Sequence, residues 1–208
     1  MNNQSSSGDL TDLLAGLAEL SARDSSSAFQ ELASQIQAVP VRGHEVAPTA
    51  CSTTDRCLAQ ALSTVQADES FTHAIATAAQ NAPWQEASRG VPKFFAGGYG
   101  YTTLVTEQPP VTSDSLRIGL LLQRPQISYP GHAHDAEEFY FILSGKAKWQ
   151  VDETSFEVSA GDLIHHLPGA IHAMQTTRQP LLAAWVWRGS LDGRFWYESA
   201  TNTDCPRN

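Results

Sequence analysis

From Trp84 onward, glycine and proline cut the chain into short apolar runs. Gly97-Gly98, Gly100, Pro109-Pro110, Gly131, Gly145, Gly161 and Gly169 punctuate the segments 99–106, 116–122, 139–143, 147–151 and 181–187. Such runs read as strands, and many short strands with regular turn signals restrict this region to a sandwich or a barrel.

The first 80 residues follow another period. Leu10, Leu13, Leu14, Leu17 and Leu20 recur at three- and four-residue spacing and make one apolar helix face. Asp9 or Thr11 is expected to cap that helix. Phe29, Leu32, Ile36 and Val39 make a second stripe, with capping-box spacing from Ser27 to Gln30. Pro40 and Pro48 mark a loop. Leu58, Ala61, Leu62 and Val65 form a third stripe, and Phe71, Ile75 and Ala78 a fourth that ends before Pro83. The expected layout is therefore mainly β, with a helical N-terminal extension over 1–83 and a β-barrel domain over 84–208. The helices are expected to cover a barrel face or to supply a homodimer interface.

Composition narrows the class. The chain has 208 residues, 41% of them hydrophobic, enough to bury a core without staples. A formal charge of -9 argues against nucleic acid as a partner. Three cysteines, Cys51, Cys57 and Cys205, have no framework spacing and read as idle thiols. The polar segment 1–8 lacks the basic and apolar regions of a signal peptide. No apolar stretch reaches the roughly 18 residues of a membrane span. A cytoplasmic protein is the expectation.

The chemistry concentrates in His132-x-His134-x3-Glu138-x-Tyr140, with His172 on a later segment. Side chains alternate along a strand, so His132 and His134 share a face, as do Glu138 and Tyr140. A short turn at 135–137 would let all four converge, with His172 arriving from another strand. Imidazoles plus a carboxylate suit one divalent transition metal (Fe, Zn, Mn, Co or Ni) without choosing among them. His44 and His73 read as surface or packing residues. His165 and His166 are adjacent, so one at most faces inward.

The spacing resembles the cupin superfamily, whose first motif matches His132-x-His134-x3-Glu138-x6-Gly145 and whose second matches Gly161-x5-Leu167-Pro168-Gly169-x2-His172. Three positions depart from that pattern: Gln126 stands for the leading glycine, Leu167 for the usual proline and Thr176 for the terminal asparagine. The resemblance implies a double-stranded β-helix. More narrowly, the segment from Tyr129 to Tyr140, the helical extension and the segment 184–189 resemble the cupin-type dimethylsulfoniopropionate (DMSP) lyases of the DddQ-like group. That implies a carbon–sulfur lyase that β-eliminates a small zwitterionic sulfonium to dimethyl sulfide and acrylate.

The residues suit that reaction. A metal can disperse charge beside the substrate carboxylate. Tyr140 is the expected base, since a nearby cation favours tyrosinate, and the resemblance allows it to serve as a metal ligand too. Tyr129 is the second catalytic candidate. His134, Glu138 and His172 are expected ligands, with His132 either a ligand or a group touching the ligands and substrate. Trp187, Tyr99 and Tyr101 are expected to face the sulfonium, because aromatic faces attract soft cations. Competing readings are a metal-dependent dioxygenase, an isomerase of small carboxylic acids, and a ligand-binding cupin without catalysis. A DNA-binding helical part is disfavoured, because residues 1–80 hold only Arg23, Arg42 and Arg56 as basic residues.

Overall fold

The computed structural model describes residues 5–41, 47–86, 95, 97–107 and 111–198, with side chains from residue 10 onward. His44 and Cys205 lie outside the described residues. Helices α1 (Ser5–Arg23), α2 (Ser27–Gln37), α3 (Ser52–Leu62) and α4 (Glu69–Gln80) follow the four apolar stripes. Two expected caps move. Helix α1 already runs at Ser5, so Asp9 and Thr11 sit inside it. In α2 the cap is Ser26, whose side chain accepts from the Phe29 amide. Gln30 does not close a box with Ser27, because its amide donates to the carbonyls of Ala22 and Asp24 in the preceding turn.

The strands are β1 (Gln85–Glu86), β2 (Tyr99–Val105), β3 (Leu116–Gln123), β4 (Ser128–His134), β5 (Ala136–Ser144), β6 (Lys146–Val151), β7 (Thr154–Ser159), β8 (Leu163–His166), β9 (His172–Thr176), β10 (Leu181–Gly189) and β11 (Phe195–Tyr197). They form a six-stranded sheet, ordered β1-β2-β3-β10-β5-β8, and a five-stranded sheet, ordered β11-β4-β9-β6-β7. All the strand pairings are antiparallel.

The larger sheet is apolar on both faces, and the two-residue period divides its side chains between two cores. Ile118, Leu120 and Leu122 of β3, Phe139 and Phe141 of β5, and Leu182, Ala184 and Val186 of β10 pack outward with the helices. Leu121, Tyr140, Ile142, Ala183 and Trp185 point the other way, into a core shared with Trp149 and Met174 of the smaller sheet. That double burial explains why β3, β5 and β10 read as nearly unbroken apolar runs. The smaller sheet is solvated outside: Lys146, Lys148 and Gln150 are exposed while Ala147 and Trp149 are buried. Behind β5, the Arg188 guanidinium binds both carboxylate oxygens of Glu137 at 2.8 Å and reaches Glu31 of α2 at 3.4 Å, fastening the helices to the sheet.

Two departures from the cupin pattern have local explanations. Gln126 adopts φ +58°, the left-handed region that a glycine enters without strain. The Thr176 hydroxyl accepts from the Ile127 amide at 3.0 Å and donates to the Arg124 carbonyl, so it ties down the same turn by side-chain hydrogen bonds. Gly145, between β5 and β6, has φ +84°, and a Cβ there would lie 2.1 Å from the Pro180 carbonyl oxygen.

Candidate active site

A cavity of about 600 Å³ opens between the two sheets, and His132, His134, Glu138, Tyr140, Tyr129, Tyr99, Tyr101, Trp185 and Trp187 all line it. Strand register assembles its floor. His132 of β4 lies opposite His172 of β9. Glu138 of β5 lies between His166 of β8 and Trp187 of β10. Only Asp135 separates β4 from β5, a tighter turn than the expected 135–137.

Each imidazole of the floor is oriented by its second nitrogen. His134 Nδ1 lies 3.0 Å from the Ala136 carbonyl, His172 Nδ1 3.0 Å from the Ala170 carbonyl and His132 Nδ1 2.9 Å from the Pro130 carbonyl. A carbonyl only accepts, so each Nδ1 carries a proton, and in the neutral form of the ring the lone pair is on Nε2. The Nε2 atoms of His134 and His172 stand 3.0 and 3.1 Å from Glu138 Oε2. Two lone pairs therefore face one carboxylate oxygen. The approach of His172 Nε2 lacks hydrogen-bond geometry, and that buried atom has no hydrogen-bond partner. A cation between these atoms would satisfy all of them, and a His/Glu donor set suits a divalent transition metal. His134, Glu138 and His172 bring their donor atoms within 4.8 Å of one another, the one such group among the described residues. His132 stands beside that group, its ring 4.1 Å from that of His172 and stacked at 4.3 Å on Tyr129.

Burial works against the Glu138 charge, but the His134, His166 and His172 imidazoles gathered around it outweigh that and hold the carboxyl well below its ordinary range. Burial drives His132 well below the ordinary imidazole value, and the His172 ring adds to this. Burial also pushes the Tyr140 hydroxyl up, and the Glu138 carboxylate reinforces the effect through its charge and a hydrogen bond. Tyr129 is pushed up by burial and by its tyrosine neighbours.

The expected aromatics take mixed roles. Tyr129 donates to the Tyr99 hydroxyl at 3.3 Å and lies between Phe95 and His132. Tyr101 donates to Gln85 at 3.2 Å at the rim. Trp187 offers more than a ring: its indole N–H donates to Glu138 Oε1 at 2.6 Å. Of the adjacent pair, His166 faces the cavity floor, whereas His165 turns outward to Glu137 at 2.7 Å and stacks on Phe139. His73 is exposed, Cys57 is buried, and Cys51 is half-buried at the start of α3.

Sequence reasoning did not single out Phe195 and Tyr197. Strand β11 pairs with β4, setting Phe195 opposite His134 and Tyr197 opposite His132, and both line the cavity. An Arg194–Asp135 pair at 3.0 Å pins this strand. Nor was Arg117 anticipated at the rim, where it binds Glu107, Asp192 and the Leu191 carbonyl. The only available signal was the aromatic Phe195-Trp196-Tyr197 run itself.

Comparison with known proteins gives concordant results. The sequence profile of the dimethylsulfoniopropionate lyase family matches residues 21–183. The DMSP lyase DddQ of Ruegeria pomeroyi is 30% identical over 185 residues, 87% of this chain and 90% of that protein. The crystal structure of DddQ from Ruegeria pomeroyi DSS-3 superposes with a TM-score of 0.73 at 25% identity, covering 91% of this chain and 96% of that one. A structure from work on the DMSP lyases RdDddP and RnDddQII has a TM-score of 0.75 at 23% identity, over 93% of this chain and 100% of the other, which bears on the fold.

Proposed function

Because the chain belongs to the cupin-type DMSP lyase family of carbon–sulfur lyases, we propose that it uses a divalent metal and Tyr140 to β-eliminate DMSP to dimethyl sulfide and acrylate. The observation that carries the metal reading is the pair of imidazole lone pairs facing Glu138 Oε2. His134, Glu138 and His172 are the proposed ligands, with His132 as a further nitrogen donor. The metal, when bound, would withdraw charge from the substrate carboxylate and offset the Glu138 charge that, after burial, helps to hold Tyr140 protonated.

The protein's own groups then divide the work. The substrate carboxylate lies over the floor, beside the imidazoles. The sulfonium lies among aromatic faces of the wall, where Trp187, Tyr99 and Tyr101 each contribute about 0.5–2 kcal/mol of cation–π attraction. Tyr140, as tyrosinate, takes the proton from the carbon next to the carboxylate. The electron pair released forms the carbon–carbon double bond as the carbon–sulfur bond breaks, and dimethyl sulfide leaves neutral, needing no acid. Tyr129, bonded to Tyr99, passes the proton from the floor toward the rim. Tyr140 hydrogen-bonds Glu138, so it would stand near enough to serve as a further ligand of a metal held there.

No described helix is long and apolar enough to cross a membrane, in keeping with a proposed cytoplasmic location. A homodimer through the helical layer is proposed, and 1–83 and 84–208 are proposed as extension and barrel domain. The decisive experiment incubates purified, metal-quantified protein with DMSP and measures headspace dimethyl sulfide and acrylate together. Stoichiometric formation of both is expected; a fully metallated protein that releases neither overturns the lyase reading.

A further inference from the structure

The cavity floor holds a fourth imidazole, and its wiring is the reverse of the other three. The Nε2 of His166 lies 3.0 Å from the indole Nε1 of Trp149, and its Nδ1 lies 3.3 Å from Glu138 Oε2. Both His166 and Trp149 are buried, at 1% and 0% exposure. An indole N–H can only donate, so His166 Nε2 must accept. In the neutral ring the proton then sits on Nδ1, aimed at the carboxylate. Were His166 to offer an Nδ1 lone pair to a metal, its Nε2 proton would oppose the Trp149 proton across 3.0 Å with no acceptor between them.

The geometry points to His166 as a positioning residue for Glu138: Trp149 fixes its tautomer, which bars it from ligating and makes it a hydrogen-bond donor to the carboxylate. The inference rests on the proposed metal site. Glu138 is then held from both ends, Oε1 by Trp187 and Oε2 by His166. Neither donor shares a strand with it, so the carboxylate keeps one orientation as the cavity fills. The ring of His166 also stacks on His172 at 4.0 Å, which couples the two imidazoles sterically. The Trp149 proton aimed at Nε2 also bars a second proton from that atom, so the ring is neutral on geometry alone.

Cobalt(II) supplies a readout independent of turnover. Its dissociation constant and visible ligand-field spectrum are measured for the full chain and for His166→Ala, His166→Asn, Trp149→Phe and the Trp149→Phe/His166→Asn double variant. An asparagine amide nitrogen sits the same number of bonds from Cα as Nδ1. His166→Ala is expected to bind cobalt 10–100-fold more weakly, the usual range for an outer hydrogen-bond partner of a ligand. His166→Asn is expected to recover to within about threefold of wild type, and adding Trp149→Phe to it should change nothing further, because Trp149 acts through the imidazole. Equal losses in the Ala and Asn variants, or wild-type affinity in His166→Ala, overturn the inference while leaving the metal site intact. A spectrum showing one imidazole fewer around cobalt in His166→Ala overturns it by making His166 a ligand. Failure of the unmodified chain to take up cobalt overturns the metal reading beneath it.

Discussion

Trp187 Nε1 lies 2.6 Å from Glu138 Oε1, across a register that pairs the two residues directly. A residue expected to offer only its aromatic face therefore also orients a proposed metal ligand. Trp187→Phe keeps an aromatic ring and removes the N–H. Metal affinity is expected to fall about tenfold, read by competition with a chelator. Unchanged affinity with a raised KM would assign Trp187 to the sulfonium alone.

Tyr140→Phe removes the proposed base without opening a cavity. Elimination is expected to slow by about 100- to 10,000-fold while metal content stays at the wild-type level. Dimethyl sulfide release and metal analysis on the same sample check both halves. Near-wild-type turnover would transfer the proton step to another group, with Tyr129 the next to test.

The buried imidazole of His166 makes a specific pH dependence for the metal-free protein. The unfolded chain protonates it near 6.5, the folded chain near about 4. Between those values the unfolded state holds more protons, so stability rises with pH. The contribution is complete above about 6.5 and is lost as pH falls toward 4, a difference of about 3 kcal/mol. His132 is shifted in the same direction and steepens the slope. Urea titrations of chelator-treated protein from about pH 4.5 to 7.5 should show the slope, and His166→Asn should reduce it by about one proton.

Gly145 combines φ +84° with a close approach to the Pro180 carbonyl. Gly145→Ala must strain the turn and displace that backbone. A loss of about 2–4 kcal/mol is expected, measured by chemical denaturation. A loss under about 1 kcal/mol would show that the Pro180 segment yields easily.

The barrel and its floor were readable where periodicity is local. β5 carries Glu138 and Tyr140 at alternate positions, and the neighbouring turn residues are marked in sequence. β7, by contrast, is largely exposed over 154–157, and β8 and β11 have four and three residues, too short for any period to emerge. Sequence parity showed that one of His165 and His166 at most could turn inward, yet only the pairing of Glu138 with His166 decides which. Tyr197 escaped notice because its neighbour His132 is reached through a pairing distant in sequence. The second function of Trp187 was hidden for the same reason: an indole N–H finds its acceptor through register, which apolar patterning does not encode.

The two-faced sheet also gives this enzyme a numerical rhythm under mutation. Along β5, residues 138, 140 and 142 look into the cavity side and 139, 141 and 143 into the helical layer; along β10 the assignment reverses, with 183 and 185 inside and 182, 184 and 186 outside. Even and odd substitutions in one strand thus belong to separate phenotypes. One class alters turnover in a folded protein, the other lowers the amount of folded protein at unchanged turnover. Evolution can consequently retune the chemistry and the durability of this scaffold on interleaved letters of the same short segments.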